Sequence, residues 1–381
     1  MPARRSLPTQ EARELLDLAR EIAGDELRPR AAEFEARAEF PREVFRTLGK
    51  TGLLSLPYDE EYGGGSQPYE VYLQVVEELS AAWLAVGLGV SVHSLACHAT
   101  ARYGTTEQKE ALLPDMLGGE TLGAYCLSEP GSGSDAAALT TRAVRDGEDY
   151  VVDGVKAWVT HGGLADFYTL MVRTSDDRSR GISMLLAAGN TAGLVPQRPE
   201  RKMGLASSPT TQVVLQGARV PANRLLGAEG QGFEIALSAL DAGRLGIAAC
   251  AVGVAQAALD YATAYARERR QFGSAIIDFQ GVSFLLADMA TQVEAARALY
   301  LAAARLRDAG QPYGDRAAMA KLFCTDVAMR VTVDAVQVLG GAGYVEDHPV
   351  ERYLREAKVL QIVEGTNQVQ RLVIGRALAR G

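Results

Sequence analysis

The chain has 381 residues, 48% of them hydrophobic, and a formal net charge of -8. This length exceeds one ordinary core, so it predicts a soluble globular protein of two or three domains. The acidic balance disfavours a general nucleic-acid-binding or acidic-membrane surface, although a local basic cluster can still hold an anionic ligand.

The cysteines and histidines are dispersed along the chain. Cys97, Cys126, Cys250 and Cys324 lack paired spacing, which is typical of buried thiols in a reducing compartment and disfavours disulfides. The histidine spacing also predicts no metal site. The N-terminus lacks the apolar core of a signal peptide, and the distribution of charges predicts no apolar stretch of membrane-spanning length. We therefore expect a cytoplasmic protein without membrane insertion.

The first part of the chain has helical periodicity. Thr9 is a candidate N-cap before apolar residues at helical spacing, and Pro41 precedes a second helical pattern. We predict an N-terminal α-helical domain over residues 1–122.

The pattern then changes to short runs rich in β-branched and aromatic residues, such as 155–160 and 167–172. Asp146-Gly147 and Asp153-Gly154 separate such runs as hairpin turns do. This pattern predicts a middle β domain over residues 123–228.

The remainder is rich in Ala and Leu with long helical periods, interrupted at Phe272-Gly273, at 310–312 and at 340–343. We predict a C-terminal helical bundle of about four long helices over residues 229–381. The whole is an α+β multidomain fold. It has no G-x-G-x-x-G fingerprint, P-loop or G-x-S-x-G elbow, which disfavours a nicotinamide enzyme, a nucleotidase or a serine hydrolase.

Glu364 is a single carboxylate that follows the apolar run 359–363 and precedes Gly365. Burial there would raise its pKa and suit it to accept a proton near neutrality, as a general base does. The alternative is a surface Glu at a turn or helix start, which the Gly-Thr-Asn sequence also permits.

The loop at 125–135, Tyr-Cys-Leu-Ser-Glu-Pro-Gly-Ser-Gly-Ser-Asp, combines hydroxyls, glycines and a proline. Such a loop can hydrogen-bond the edge of a flat polar ring or receive a phosphate at its amides. It can equally be a tight connector.

Six segments together resemble the acyl-CoA dehydrogenase family. They are the 125–135 loop and the segments 155–160, 201–204, 271–273, 337–344 and 364–366, in the family's order and over nearly the whole chain. The resemblance implies α, β and α domains around FAD and an acyl-CoA thioester, usually in a homotetramer.

The resemblance also implies roles for individual residues. Around the flavin ring it places Leu127, Ser128, Gly133, Ser134, Trp158, Thr160, Thr366 and Gln368. At the pyrophosphate and adenosine, across a subunit interface, it places Arg269, Gln271, Phe272, Gln337, Gly340 and Gly341. Along the substrate it places Ser134, Asp241, Arg244 and Gly365. Trp158 can alternatively be ordinary core, Arg269 a solvated helix face, and Asp241 with Arg244 a surface ion pair.

The implied reaction is α,β-dehydrogenation: Glu364 removes the α-proton and a hydride passes to flavin N5, giving a trans-2-enoyl-CoA. In some relatives the base lies at the position matching Gly243, and a glycine cannot serve there. Val363 and Ser128 depart from the family's frequent Tyr and Thr. We expect short-chain or short branched-chain substrates in fatty-acid β-oxidation or amino-acid breakdown, and electron transfer to an electron-transfer flavoprotein. An acyl-CoA oxidase and a non-catalytic flavoprotein subunit are the alternatives.

Overall fold

A computed structural model describes residue 3 and residues 5–380. The helices in this part of the chain are α1 (Gln10–Ile22), α2 (Arg28–Arg37), α3 (Arg42–Lys50), α4 (Tyr69–Ala82), α5 (Leu84–Tyr103), α6 (Thr106–Leu117), α7 (Gly232–Glu268), α8 (Gln280–Asp308), α9 (Gly314–Leu339), α10 (Val350–Leu360) and α11 (Asn367–Arg380). The strands are β1 (Gly123–Cys126), β2 (Arg142–Asp146), β3 (Asp149–Thr160), β4 (Phe167–Arg173), β5 (Ile182–Ala188), β6 (Leu194–Pro196), β7 (Thr210–Pro221), β8 (Leu225–Leu226), β9 (Arg270–Gln271) and β10 (Ser274–Ala275).

The N-terminal helices begin where the capping chemistry predicts. The Thr9 hydroxyl accepts a hydrogen bond from the Ala12 N–H at 3.0 Å, which confirms Thr9 as the N-cap of α1. Pro41 immediately precedes α3. The β part follows α6, with β1 starting at Gly123.

The eight-stranded sheet has the order β6-β7-β3-β2-β4-β5-β8, and β1 pairs in parallel with β4. Asp146-Gly147 does lie at the turn between β2 and β3. The turn predicted at Asp153-Gly154 is wrong, because both residues lie inside β3 at a bulge opposite β7. Gly154 has φ +150°, and a Cβ there would lie 2.5 Å from the Thr141 hydroxyl. The glycine therefore marks a close contact inside a strand.

The C-terminal part contains three long helices and two shorter ones, whereas the sequence predicted about four long ones. Helices α7, α8 and α9 have 37, 29 and 26 residues, while α10 and α11 have 11 and 14. The three predicted interruptions fall at the β9–β10 hairpin, between α8 and α9, and at the end of α9.

The N-terminal and C-terminal helices share one hydrophobic core. Leu48 of α3 and Val75 of α4 belong to the same cluster as Leu245 of α7 and Val327 of α9. The sheet has a separate core that contains Val152 and Leu170. The sheet therefore packs as a distinct layer against helices from both ends of the chain.

Two helices, α5 and α7, are long and apolar enough by length and composition to cross a membrane. The prediction that charges interrupt every stretch of that length is therefore wrong. Both helices are mostly buried inside the protein, as central helices of a soluble core also are, so their composition is weak evidence for a membrane.

All four cysteines are buried, free thiols. Burial raises the pKa of each, to about 12 for Cys126 and Cys250 and further for the other two. They are consequently protonated and behave as small hydrophobic side chains.

A carboxyl group is buried where α10 meets the loop that carries Ser207. Glu356 is 1% exposed, and its nearest cation, the Arg352 guanidinium, lies 3.6 Å from it, too far for a good hydrogen bond. Glu35 lies close enough to repel it and is itself bonded to Trp83 and Ser207. Burial, followed by the Glu35 charge, raises the pKa of Glu356 to about 8.

We predict that Glu356→Gln stabilises the protein at alkaline pH. The pKa of Glu356 is higher in the folded state than in the unfolded chain, so its contribution is intact below about pH 4 and is lost as the pH rises towards 8. The variant should exceed the parent in unfolding free energy by roughly 2–4 kcal/mol at pH 9 and differ little at pH 5. Thermal unfolding across that range measures this difference. Glu351→Gln on the same helix is the control, and a pH-independent difference would contradict a protonated Glu356.

Candidate active site

Glu364 lies on a short turn between α10 and α11. Its φ is +52° and that of Gly365 is +89°, so two successive residues occupy the left-handed region, which costs energy for a residue with a Cβ. The Gln370 side-chain amide stabilises the turn by donating to the carbonyls of Glu364 at 3.2 Å and Gly365 at 2.8 Å. The Asn367 N–H donates to the Gln361 carbonyl at 3.0 Å and connects the two ends of the turn.

The Glu364 carboxylate points into the protein. Both of its oxygens are buried without a hydrogen-bond partner. Burial raises its pKa to about 7, although the charges of Lys321 and Arg244 oppose the shift. The surface alternative from the sequence is therefore excluded, and the carboxylate can exchange a proton near neutrality.

Helix α7 passes directly beneath this carboxylate. A Cβ on Gly243 would lie 2.1 Å from Glu364 Oε2, far inside van der Waals contact. The glycine thus provides the space that the carboxylate occupies. Positions 243 and 364 meet in space although 121 positions separate them in the sequence.

The same turn of α7 carries an ion pair between buried Arg244 and half-buried Asp241. Arg244 is 6% exposed and donates from Nη1 to Asp241 Oδ1 at 2.5 Å. The Arg244 Nε is also buried and has no partner. Burial raises the pKa of Asp241 despite the adjacent guanidinium. The pair is therefore not the surface ion pair considered from the sequence, and it leaves a donor available beside the Glu364 site.

A small cavity lies beside Gly243, between α5 and α7. Its lining includes Ser91, Ser94 and Leu95 of α5, the Tyr58 ring, and the Arg307 side chain of α8. The Arg307 guanidinium lies 3.4 Å from the centre of the Tyr69 ring. Val363, which precedes Glu364, is partly buried against the helical core.

The loop after β1 is attached to β3. The Ala157 N–H donates to the Ser128 carbonyl at 2.8 Å. Glu129 is ion-paired with the fully buried Lys156 at 2.8 Å and accepts from the Thr141 N–H at 2.9 Å. Although burial opposes ionisation, Lys156 and these donors lower the pKa of Glu129 to about 2. The loop is therefore held by a buried charge pair on its Glu129 side.

Trp158 projects from the sheet beside this loop. It is 67% exposed, with φ +60°, at an irregularity in the pairing of β3 with β7. The core alternative for Trp158 is therefore wrong. Leu127, Ser128 and Thr160 are half-buried, and Gly133 and Ser134 are exposed.

Tyr125 connects the loop to the carboxylate. Its hydroxyl donates to the Ala236 carbonyl of α7 at 3.3 Å. Burial first, and then the Glu364 charge, raises its pKa. Tyr125, at the start of the 125–135 loop, therefore lies near enough to Glu364 to sense its charge. Gly365 lies on the Glu364 turn, the Thr366 hydroxyl caps α11, and Gln368 is exposed on the first turn of α11.

Six residues named from the sequence do not join this group. Arg269 ends α7, 26 positions beyond Gly243, and the helical rise makes that distance roughly 39 Å. Gln271 and Phe272 follow in the exposed β9–β10 hairpin, where Phe272 is 94% exposed. Gln337, Gly340 and Gly341 are exposed at the end of α9. Within a single chain, these six residues therefore lie away from Glu364.

Lys321 was missed from the sequence. It lies on α9, is 0% exposed, and its ammonium donates to the Gly365 carbonyl at 2.9 Å. The available signal was the same as for Glu364, a lone charge among apolar residues in Met319–Cys324.

Comparison with known proteins agrees with this organisation. The chain matches the acyl-CoA dehydrogenase N-terminal domain over residues 9–120, the middle domain over 124–218 and the C-terminal domain over 230–379. It is 44% identical to an acyl-CoA dehydrogenase of Bacillus subtilis, over 98% of this chain and 99% of that one.

The chain belongs to the acyl-CoA dehydrogenase family.

Two solved structures resemble this acyl-CoA dehydrogenase closely. Butyryl-CoA dehydrogenase from Megasphaera elsdenii superposes with a TM-score of 0.96 at 39% identity, covering 99% of this chain and 100% of that one. A structure described as the electron transferring flavoprotein of Acidaminococcus fermentans has a TM-score of 0.97 at 41% identity, with 99% and 100% covered. The predicted fold class and enzyme class, an oxidoreductase acting on CH–CH groups, are confirmed.

The family is FAD-dependent, and the exposed groups of this acyl-CoA dehydrogenase fit FAD. The exposed Trp158 ring suits an aromatic ring system. A Cβ on Gly131 or Gly133 would meet nothing within 4 Å, so the loop backbone is open to a ligand. Exposed Arg269 suits a phosphate group.

We predict that Gly243→Ala impairs this acyl-CoA dehydrogenase without unfolding it. The new methyl group would displace the Glu364 carboxylate, because one of its oxygens lies 2.1 Å from the position that a Cβ at residue 243 would take. Reduction of bound flavin by substrate should slow by roughly 10–100-fold, because a displacement of about 1 Å within an active site can have an effect of that size.

Gly281→Ala is the matched control, because a Cβ at that helical glycine meets nothing within 4 Å. Stopped-flow absorbance of the anaerobic flavin protein measures both variants. Equal rates for parent and Gly243→Ala would contradict the placement of Glu364 over Gly243.

Proposed function

We propose that Glu364 is the base that removes the α-proton of an acyl-CoA thioester, giving a trans-2-enoyl-CoA. The observation that carries the proposal is the buried Glu364 carboxylate, which has no partner and a pKa raised by burial to about 7. A base with that pKa is about half ionised at neutral pH and still accepts a proton readily. FAD, when bound, accepts the hydride that leaves the β-carbon.

The backbone N–H of Glu364 is a candidate donor to the thioester oxygen. None of the described residues accepts a hydrogen bond from the Glu364 N–H. We propose that this N–H donates to the thioester carbonyl, where negative charge develops as the α-proton leaves. Asp241, Arg244, Ser134 and Gly365 then contact the pantetheine and thioester, with the buried Arg244 Nε as an available donor.

The flavin end of the proposed site lies on the sheet side. Leu127, Ser128, Gly133, Ser134, Trp158 and Thr160 would contact the ring, with Thr366 and Gln368 from the helical side. The attachment of the loop to β3 through Ser128 and Ala157 supports this grouping.

We propose a homotetramer, as the family resemblance implies, in which a second chain completes the FAD site. We propose that Arg269, Gln271, Phe272, Gln337, Gly340 and Gly341 bind the pyrophosphate and adenosine of FAD held by a neighbouring subunit. The roughly 39 Å of helix between Gly243 and Arg269 and the 94% exposure of the apolar Phe272 support a site completed by a second chain.

The proposed substrates are short or short branched acyl-CoAs. The similarity to butyryl-CoA dehydrogenase and the small cavity beside Gly243 support this range. We further propose electron-transfer flavoprotein as the acceptor, supported by the likeness to the Acidaminococcus fermentans structure. The setting would be the cytoplasm, in fatty-acid β-oxidation or branched amino-acid breakdown.

We predict that Glu364→Gln retains flavin and binds thioesters but loses turnover by at least about 100-fold, because only the proton acceptor is removed. In the parent, the second-order rate constant for flavin reduction by substrate should rise with pH through about 7, since the base must be ionised and its pKa is about 7. Anaerobic flavin bleaching measures both. Glu346→Gln, the same change at an exposed site, is the control, and unchanged turnover in Glu364→Gln would contradict the assignment.

Substrate range and electron acceptor are tested together. The anaerobic protein is titrated with acyl-CoAs of four to sixteen carbons and with isobutyryl-, 2-methylbutyryl- and isovaleryl-CoA. Bleaching by the four-carbon or branched group is expected. Peroxide formed at the rate of turnover in air would instead indicate an acyl-CoA oxidase, and a yellow protein that no thioester bleaches would indicate a non-catalytic flavoprotein.

We predict that FAD quenches Trp158 fluorescence in the apoprotein. The chain has two tryptophans, and the other, Trp83, is buried and bonded to Glu35. Trp158→Phe should lose the quenched component while Trp83→Phe keeps it. Trp158→Ala should weaken FAD binding by roughly 3–10-fold through lost ring contact. Equal quenching in parent and Trp158→Phe would place the flavin elsewhere.

A further inference from the structure

The turn that carries Glu364 depends on a buried cation. Lys321 projects from α9 with its ammonium 2.9 Å from the Gly365 carbonyl and 2.9 Å from Asn367 Oδ1. It is one of the largest fully buried side chains in the described part of the protein. A buried ammonium is costly unless it is bonded, so its position is defined by these two acceptors.

The second acceptor is itself fixed. The Asn367 side-chain amide donates to the Thr325 hydroxyl at 3.0 Å and to Asp326 Oδ1 at 2.7 Å. Thr325 and Asp326 lie one turn beyond Lys321 on α9. Helix α9 thus holds the first residue of α11 and the Gly365 carbonyl at the same time. The left-handed conformations of Glu364 and Gly365 are stabilised from below by this contact.

Lys321 does not bond the base directly. Both Glu364 oxygens lack a hydrogen-bond partner, so Lys321 acts through the Gly365 carbonyl and through its charge. Burial raises the pKa of Glu364, and Lys321 is the strongest of the opposing charges. In return, burial lowers the pKa of Lys321 to about 7 while Glu364 raises it. The carboxylate therefore stays free to take a proton from substrate.

Other charged and titratable groups lie near Lys321 and Glu364. The charged ones are Arg244 and Asp241 of α7, Asp326 of α9, and Arg371 of α11, whose guanidinium lies 3.4 Å from Asp326. Tyr69, Tyr125 and Cys250 also sense the Glu364 charge, but burial raises the pKa of each and keeps it neutral. Among these groups, Lys321 and Arg244 are the cations whose charges lower the pKa of Glu364, and Lys321 has the larger effect. Lys321 is therefore the residue to change.

We propose that Lys321 is a positioning residue for Glu364: its ammonium holds the Glu364–Gly365 turn over α7, and its charge offsets the burial of the carboxylate. The inference rests on the proposed role of Glu364 as the base. It identifies a second residue on which proton removal depends, on a different helix and without contact to the reacting atoms.

The test is the pH profile of substrate-driven flavin reduction in Lys321→Met. Removal of the charge should raise the midpoint of the profile by about one unit or more, with a loss of about eightfold or more at pH 6.5 that is largely recovered at pH 9. Lys321→Arg is charged at every pH and should not raise the midpoint, even if its rate falls. Thr325→Val removes a neutral contact to Asn367 and is the matched control, with an unshifted midpoint.

A loss in Lys321→Met that is equal at every pH would overturn the electrostatic role, and an unchanged rate would overturn the proposal entirely. Lys321→Gln retains a donor without the charge and replaces the Met variant if that protein is not recovered folded. If neither neutral variant folds, a raised midpoint in Lys321→Arg overturns the proposal, and an unchanged or lowered midpoint supports it. An inactive Glu364→Gln combined with a parent-like Lys321→Met profile would refute this inference alone, whereas an active Glu364→Gln would refute the proposed function.

Discussion

The structure depends on how closely other segments of the chain approach the backbone of helix α7. Gly232 at the start of this helix and three glycines in its interior lie against other parts of the chain where a methyl group would not fit. A Cβ would lie 2.1 Å from Glu364 Oε2 at Gly243, 2.2 Å from the Ser91 hydroxyl at Gly246, and 2.4 Å from the Glu77 carbonyl at Gly253. Each glycine costs roughly 0.5–1 kcal/mol of helix stability relative to Ala. That cost is offset by a core in which α4, α5 and the Glu364 turn pack directly on the α7 backbone.

The same helix brings charges into an apolar interior. Arg244 and Asp241 of α7 lie with Lys321 and Glu364 in a region where most neighbours are apolar. Buried ion pairs seldom stabilise a fold by themselves, because the loss of hydration exceeds or matches the attraction. Their presence here is therefore better explained by chemistry than by folding. The Glu129–Lys156 pair differs, since its acceptors and donors are matched and it holds a loop in place.

Local sequence patterns gave correct predictions for residues whose environment is determined by their neighbours in the sequence. Thr9 caps α1 because a cap depends on the next three residues, and the apolar run before Glu364 did indicate a buried carboxylate. The same reasoning failed at Asp153-Gly154, because the glycine there is required by Thr141 from another segment. The lone charge of Lys321 among apolar residues was a local signal of burial, but its partners could not be predicted because Gly365 and Asn367 are more than forty positions away. The assignment of residues to the FAD and substrate sites came from family resemblance. Only some of these residues lie together in one chain, and which ones do so depends on long-range packing that no local sequence pattern reveals.

The four protonated, buried cysteines make the protein well suited to site-specific labelling. A thiol reacts as its thiolate, and burial keeps all four native thiols in the unreactive form. A cysteine introduced at an exposed position such as Ser134 or Gln271 would be accessible to a labelling reagent and would react without prior removal of the native residues. Pairs of spectroscopic probes can thus be attached near the 125–135 loop and at the β9–β10 hairpin, which allows the distance between these two segments to be measured in solution.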